Sequence, residues 1–186
     1  MKKKIIITGG LGYIGTELCK LYSGVSWNNQ IIVIDNRFVS ERVNQIRNWN
    51  IEFIQGDILD KELINKYCKE ANVVHHLAGI TDVPRTQSDS SEEKDKKIKL
   101  VAEEGMQNIL DAVNNKCKII FPSTHVVYEG IDKVKNDISE NEDLKPLLSY
   151  SSSKATNEKQ LKNSGKKLCN PKIRFSLWLL NRYSTC

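Results

Sequence analysis

The sequence has no long apolar run: its longest uninterrupted stretches of Ile, Val and Leu are three or four residues, as in Ile5-Ile6-Ile7 and Ile31-Ile32-Val33-Ile34. A membrane-crossing helix needs about 20 apolar positions, and the mean hydropathy is −0.45. Nor is a cleavable leader expected. Lys2-Lys3-Lys4 resembles the start of one, but the apolar stretch that follows ends at once in Thr8-Gly9-Gly10, so a mature cytoplasmic protein with no membrane partner is expected. Cysteines are few and scattered, at Cys19, Cys68, Cys117, Cys169 and Cys186, with no C-x-x-C pair. Reduced thiols fit that pattern better than a disulfide framework. No metal site is expected, because His75 and His76 are adjacent and face opposite sides of a strand. A strong excess of one charge is missing too, since 28 Lys and Arg face 23 Asp and Glu. The densest charged patch, Glu92-Glu93-Lys94-Asp95-Lys96-Lys97, mixes both signs, which predicts a solvated helix face and no nucleic-acid partner.

What is present is enough for one domain with a buried core: 186 residues, 39% of them hydrophobic. Periodicity alternates between strand and helix. Strands are predicted at Lys4–Thr8, Ile31–Asp35, Ile51–Gln55, Asn72–Leu77 and Lys118–Pro122. Helices are predicted at Ile14–Tyr22, Glu41–Asn48, Asp60–Lys69, Ser91–Asn114 and Ser149–Ser164, with a polar, loop-like stretch over Tyr128–Leu148. The strands are continuously apolar rather than alternating, as in a parallel sheet buried on both faces. The fold class expected is α/β, a doubly wound parallel sheet of the Rossmann type.

The first strand runs into Thr8-Gly9-Gly10-Leu11-Gly12-Tyr13-Ile14-Gly15, which opens a helix. Read from Gly10 it is G-x-G-x-x-G: a glycine for the tight turn, one for close backbone approach to a pyrophosphate, one for helix-on-strand packing. The free N–H groups and positive dipole of the helix start favour phosphate. Asp35 closes the second strand twenty residues after Gly15, where an acid grips the adenosine ribose hydroxyls. A carboxylate there repels a 2′-phosphate and favours NAD over NADP, and Arg37 blurs the preference.

Tyr150-Ser151-Ser152-Ser153-Lys154 is Y-x-x-x-K, which on a helix places both side chains on one face. With the glycine loop and with Pro122-Ser123-Thr124 at a strand end, these motifs make the chain resemble the extended branch of the short-chain dehydrogenase/reductases, the NAD-dependent sugar epimerases and dehydratases. Gly56-Asp57-Ile58 is similar to that family's adenine-contacting turn and His76-Leu77-Ala78-Gly79 to its H-x-A-[AG] loop beside the nicotinamide ribose. Ser123–Tyr128 resembles S-[ST]-x-x-V-Y, and Tyr150, Lys154 and Glu158 fall on Y-x-x-x-K-x-x-x-E. The resemblance implies Thr124, Tyr150 and Lys154 as catalytic residues. It implies NAD contacts from Gly9, Gly12, Tyr13, Ile14, Gly15, Asp35, Asn36, Asp57, Ile58, Leu77, Ala78, Gly79, Tyr150 and Lys154.

The implied chemistry is reversible oxidation of a nucleotide-sugar carbon. Tyr150 as phenolate takes the hydroxyl proton, Lys154 and the nicotinamide supply positive charge, and Thr124 orients the reacting oxygen. His125 and Val126 stand where the dehydratases carry Asp-Glu, which counts against a dehydratase and leaves an epimerase of the UDP-sugar 4-epimerase kind. An inactive NAD-binding regulator and a sugar-nucleotide or carbonyl reductase remain the alternatives. Ala102 replaces an Asn that the family carries three residues before the glycine equivalent to Gly105. The family often pairs through the helices near Ser91–Asn114 and Ser149–Ser164, which implies a homodimer for the full-length protein.

The tail departs from the pattern. After the Y-x-x-x-K helix the family continues into an apolar strand of the form I-L-R-x-x-x-V-Y-G and a substrate domain, whereas Leu168–Cys186 fits neither. The expected organisation is an NAD-binding domain over 1–167 and an aberrant tail over 168–186. Gly165-Lys166-Lys167 can be encoded by an A-rich run, and a one-base shift there lets permitted codons read K-N-Y-V-I-L-R-F-G-S-V-Y-G, with Trp178 becoming Gly. A chain that truly ends as written is expected to bind NAD weakly and to turn over no sugar. Reading the gene across codons 160–186 and several hundred bases beyond checks the shift: V-I-L-R followed by a long open frame is expected, and an early stop in the shifted frame overturns it.

Overall fold

The computed structural model describes residues 2–81, 91–131, 138–139, 142–169 and 172–173. Strand β1 (Lys4–Thr8) leads into helix α1 (Tyr13–Ser23). Then come β2 (Gln30–Asp35), α2 (Ser40–Asn48), β3 (Glu52–Gln55), α3 (Lys61–Cys68) and β4 (Val73–His76). The long helix α4 (Glu92–Ala112) precedes β5 (Lys118–Ile120) and the short β6 (Ser123–Thr124). Helix α5 (Ser149–Asn163) follows, then β7 (Lys167–Cys169) and β8 (Lys172–Ile173). Six strands form one sheet in the order β3-β2-β1-β4-β5-β7, every neighbouring pair parallel. This is the doubly wound architecture expected, and its strand order reverses between β1 and β4, where ligands bind in such sheets.

The β-branched runs explain the two-layer core. Along β1, Ile6 packs with Ile32, Ile34, Val74 and Ile119 and with Ile64, Met106, Ile109 and Leu161 from α3, α4 and α5. Its neighbours Ile5 and Ile7 turn the other way, onto Ile31, Val33, Leu11, Cys19, Val43 and Ile46 beside α1 and α2. Period-two alternation thus feeds both faces, which is why the strands look uniformly apolar in sequence. Two helix starts carry side-chain caps. Asp60 accepts a 3.0 Å hydrogen bond from the Leu63 N–H, and Ser91 accepts one of 3.3 Å from the Lys94 N–H.

Observed boundaries lie within about two residues of those predicted, a normal spread for element ends. The clearest difference is the fifth strand, which ends at Ile120 rather than Pro122. Proline has no N–H for a ladder, and the chain leaves the large sheet there to form β6, which pairs with β8. In the predicted loop over 128–148, residues 132–137 and 140–141 lie outside the described residues. The sixth sheet position is taken by β7, in register with β5 from Lys118↔Lys167 to Ile120↔Cys169. It straddles the boundary expected at 167/168. Residues 174–186, most of the stretch expected to be an aberrant tail, lie outside the described residues.

The adjacent histidines of β4 do face opposite ways. His75 Nε2 meets the Tyr22 hydroxyl at 2.7 Å on the α1 side, while His76 Nδ1 meets the Thr8 hydroxyl at 2.8 Å and its ring stacks on Phe121. Cys19, Cys68 and Cys117 are buried free thiols, pushed up to about 12, 12 and 11 chiefly by burial. Burial, with Lys118 adding to it, pushes His75 down to about 4. Burial, with Lys154 adding, pushes His76 down to about 3. The unfolded chain therefore takes up protons near the ordinary 6.5 while the folded chain refuses them, so stability falls as pH falls through that window. Urea unfolding is expected to show a loss of up to about 1.4 kcal/mol per pH unit per histidine between about pH 6 and pH 4. His76→Asn, which keeps an acceptor for Thr8, should remove up to one histidine's share of that slope; an unchanged slope would sink the assignment.

Candidate active site

The site is assembled at the carboxyl ends of the parallel strands. After β1 the chain turns at Gly9, which sits at φ 69°, and the Gly9 N–H donates to Ile34 O at 2.8 Å. The tight turn expected of the first motif glycine thus belongs to Gly9, one residue before Gly10. It is Gly9 that must pass beneath the next loop, where a Cβ would lie 2.6 Å from Ala78 N. Gly15 performs the packing expected of it, since a Cβ there would lie 2.6 Å from both Gly10 Cα and Gly9 O. Gly12 occupies the N-cap position of α1, with no side-chain cap and no acidic residue in the first turn. Tyr13 and Ile14 are exposed there, so the first N–H groups of α1 point out of an open helix end.

Leu11, between these glycines, is held at both ends of its backbone. Its N–H donates to Asp35 Oδ2 at 3.0 Å, and its carbonyl accepts from Arg42 Nη1 of α2. Asp35 is buried, at 5% exposure, and its Oδ1 accepts from the Arg37 N–H at 3.1 Å and from Arg37 Nε at 3.5 Å. Next to it, Asn36 Nδ2 donates to Asp57 Oδ2 at 3.0 Å, and Asp57 Oδ1 accepts from the Leu59 N–H. Ile58 is buried and its carbonyl accepts from Asn108 of α4 at 3.0 Å. The loop after β4 brings Leu77, Ala78 and Gly79 to the same edge, with the Leu77 N–H donating to Thr8 O at 3.1 Å. The residues expected around the cofactor after β1, β2, β3 and β4 therefore follow the carboxyl ends of those strands, along one rim of the sheet.

The second half of the site comes from β6 and α5, which pack together. Lys154 and Tyr150 share a face of α5, with Nζ 5.8 Å from the tyrosine ring centre. The ammonium is fixed by two groups that the sequence did not single out: it donates to Pro122 O at 3.0 Å and lies 4.3 Å from the centre of the Phe121 ring, a cation–π distance. Burial pushes Lys154 down to about 8, against a raising pull from Glu158, so it still carries its charge at neutral pH. Burial pushes the Tyr150 phenol up. Thr124 is buried and its Oγ1 accepts from the Val126 N–H at 3.4 Å. The neighbouring Ser123 hydroxyl donates to Glu158, the last residue of the Y-x-x-x-K-x-x-x-E pattern. Where Asn was expected, Ala102 supplies its carbonyl to Asn157 Nδ2 at 3.0 Å. Phe121 reads in sequence as core, and Arg42 lies 31 residues from the carbonyl it holds, so no local pattern marks either.

The family model of the 3-beta hydroxysteroid dehydrogenase/isomerase family matches residues 6–177. A UDP-N-acetyl-alpha-D-glucosaminuronate decarboxylase of Bacillus cytotoxicus is 34% identical over 132 residues, 69% of this chain and 38% of that protein. A dTDP-D-glucose 4,6-dehydratase of Dictyostelium discoideum is 32% identical over 170 residues, 82% of this chain and 38% of that protein. The crystal structure of a UDP-glucose 4-epimerase from Brucella ovis in complex with NAD superimposes with a TM-score of 0.73 at 26% identity. It covers 90% of this chain and 50% of that one. The chain thus spans well under half the length of these two curated relatives. Among the described residues, no helix is long and apolar enough to cross a membrane.

The packing at Gly15 is backbone against backbone, with no flexible side chain to move aside. Gly15→Ala is therefore expected to lose about 1–3 kcal/mol of stability. Gly79→Ala, where a Cβ meets nothing within 4 Å, should unfold like wild type. Equal urea midpoints for the two variants would show that α1 is not pinned to the glycine turn.

Proposed function

Because the chain belongs to the 3-beta hydroxysteroid dehydrogenase/isomerase family, we propose that it binds NAD and serves an NAD-dependent nucleotide-sugar epimerase that works by transient oxidation of the sugar. The observation that carries this reading is the ammonium of Lys154, held by Pro122 O and the Phe121 face within 5.8 Å of the Tyr150 ring. It sits at the same sheet rim as an uncapped, acid-free helix start. That donor set fits a dinucleotide. The open start of α1 takes the pyrophosphate, Asp35 the adenosine ribose, Asn36, Asp57 and Ile58 the adenine, and Leu77, Ala78 and Gly79 the nicotinamide ribose. When bound, oxidised NAD supplies the acceptor for the sugar's hydride.

The chain's own groups handle the proton. Tyr150 Oη takes it from the sugar hydroxyl, Thr124 orients that oxygen, and Lys154 stabilises the phenolate. Bringing a phenol from near 10 into the neutral range takes several pKa units at about 1.36 kcal/mol each, and burial opposes it. One nearby opposite charge shifts a pKa by about 1–3 units. Lys154 alone falls short, so the phenolate forms when a second positive charge, that of the oxidised nicotinamide, is also in place. The requirement ties proton removal to cofactor occupancy.

Titration of the purified chain with NAD and NADP, followed by calorimetry, is expected to show binding with NAD preferred, since Asp35 repels a 2′-phosphate. With UDP-glucose and bound NAD, proton NMR is expected to show the 4-epimer when the shifted frame is expressed, no net NADH, and no product in Tyr150→Phe with NAD affinity kept. Absence of NAD binding would overturn the proposal, and stoichiometric NADH release would replace epimerisation by a reductase-type reaction.

A further inference from the structure

Resting on the reading of Tyr150 as the proton-accepting group, we propose that Glu129 is a positioning residue: its carboxylate caps α5 from outside the helix and fixes the turn bearing Tyr150 against the segment bearing Thr124. Helix α5 has only one half of a cap of its own: Ser151 Oγ accepts from the Leu148 N–H at 3.2 Å. The N-cap residue is Leu148, whose side chain accepts nothing, and the first turn contains no acid. Glu129 Oε1 adds a charged acceptor from outside the helix. It accepts from the Leu147 N–H at 2.7 Å and the Leu148 N–H at 2.9 Å, and the Ser151 hydroxyl donates to the same oxygen. Tyr150 is the second residue of this helix, enclosed in chain between Leu148 and Ser151.

Glu129 follows directly on the 3-10 turn His125–Tyr128, which opens on Thr124. Two backbone bonds run in parallel with its side chain: the Lys145 N–H donates to Val127 O at 2.9 Å and the Gly130 N–H to Lys145 O at 2.8 Å. The approach is tight enough that a Cβ on Gly130 would lie 2.6 Å from Lys145 O. Val127 is fully buried beneath. The Thr124 segment and the Tyr150 turn are thereby joined by a short strut in which Glu129 supplies the side-chain acceptor. Burial pushes that carboxyl up, but the bonds from Ser151, Leu148 and Leu147 outweigh it and leave the carboxyl below its ordinary value. An anion at a helix start is also favoured by the helix dipole. Glu129 itself is exposed and belongs to neither core cluster, so its bonds act on this junction and not on the sheet.

The test needs no cofactor. The full chain labelled with 3-fluorotyrosine gives separate fluorine NMR lines for its six tyrosines, with the Tyr150 line assigned by its loss in Tyr150→Phe. In Glu129→Ala the Tyr150 line is expected to move towards its position in the urea-unfolded chain while those of Tyr13, Tyr22 and Tyr67 stay in place. Glu129→Gln keeps an acceptor oxygen and should bring the line most of the way back. An unmoved Tyr150 line overturns the proposal. So does a concerted shift of all tyrosines, which means general destabilisation, and so does a Gln variant equal to Ala, which means a charge effect alone. Since NAD is absent from the sample, failure of the cofactor reading and failure of this one are separately visible.

Discussion

The close approach of two backbones where the sheet order reverses governs the rest of the site. Gly9 passes under Ala78 in a left-handed conformation with no room for a Cβ. That contact locks the loop after β1 to the loop after β4. From it follow the direction of α1, the open helix end and the distance of the rim from the sheet. A side chain at Gly9 would combine an unfavourable backbone with a collision against peptide atoms that cannot rotate away. The strands beneath are made of interchangeable β-branched residues, so the demanding geometry is concentrated in a handful of atoms at the switch point.

The second half of the site is organised by opposed electrostatic demands. An ammonium at Lys154 costs desolvation, visible in its downward shift to about 8, and the shift is limited because a backbone carbonyl, an aromatic face and the pull of Glu158 stand around it. His76 stacks on Phe121 and is kept neutral by burial and by the same lysine. Phe121 thus meets both an imidazole and an ammonium, and of the two only the ammonium is charged at neutral pH. Burial raises the neighbouring phenol as well, so in the protein alone Tyr150 stays protonated.

Much of this architecture is legible in the chain. The strand–helix alternation, the glycine motif, Asp35 after β2 and the i,i+4 spacing of Tyr150 and Lys154 are local patterns, and local patterns survive reading one residue at a time. What escaped depends on partners far apart in sequence. Pro122 and Phe121 read as a strand end, and nothing near them says that an ammonium 32 residues on will use a carbonyl there. The left-handed turn fell on Gly9 and not Gly10 because its neighbour is Ala78, which spacing within the motif cannot reveal. Glu129 lies in a polar stretch with no periodicity, and the signal that could have pointed to it is negative: Leu148 sits where a helix wants Ser, Thr, Asp or Asn.

Asp35 shows how one side chain can serve both the fold and the proposed cofactor. Each carboxylate oxygen has two acceptor positions. Oδ2 spends one on the Leu11 N–H and Oδ1 meets only the Arg37 backbone and Nε, so a ribose hydroxyl can be accepted without releasing the loop. Anchoring and recognition are therefore additive at Asp35. The bond to Leu11 sets the carboxylate's orientation before any ligand arrives, and that order matters energetically: a buried acid that first had to be oriented by its ligand would charge the cost of its ordering to the binding step. Arg42, holding the opposite end of Leu11, completes the preorganisation from the helix side.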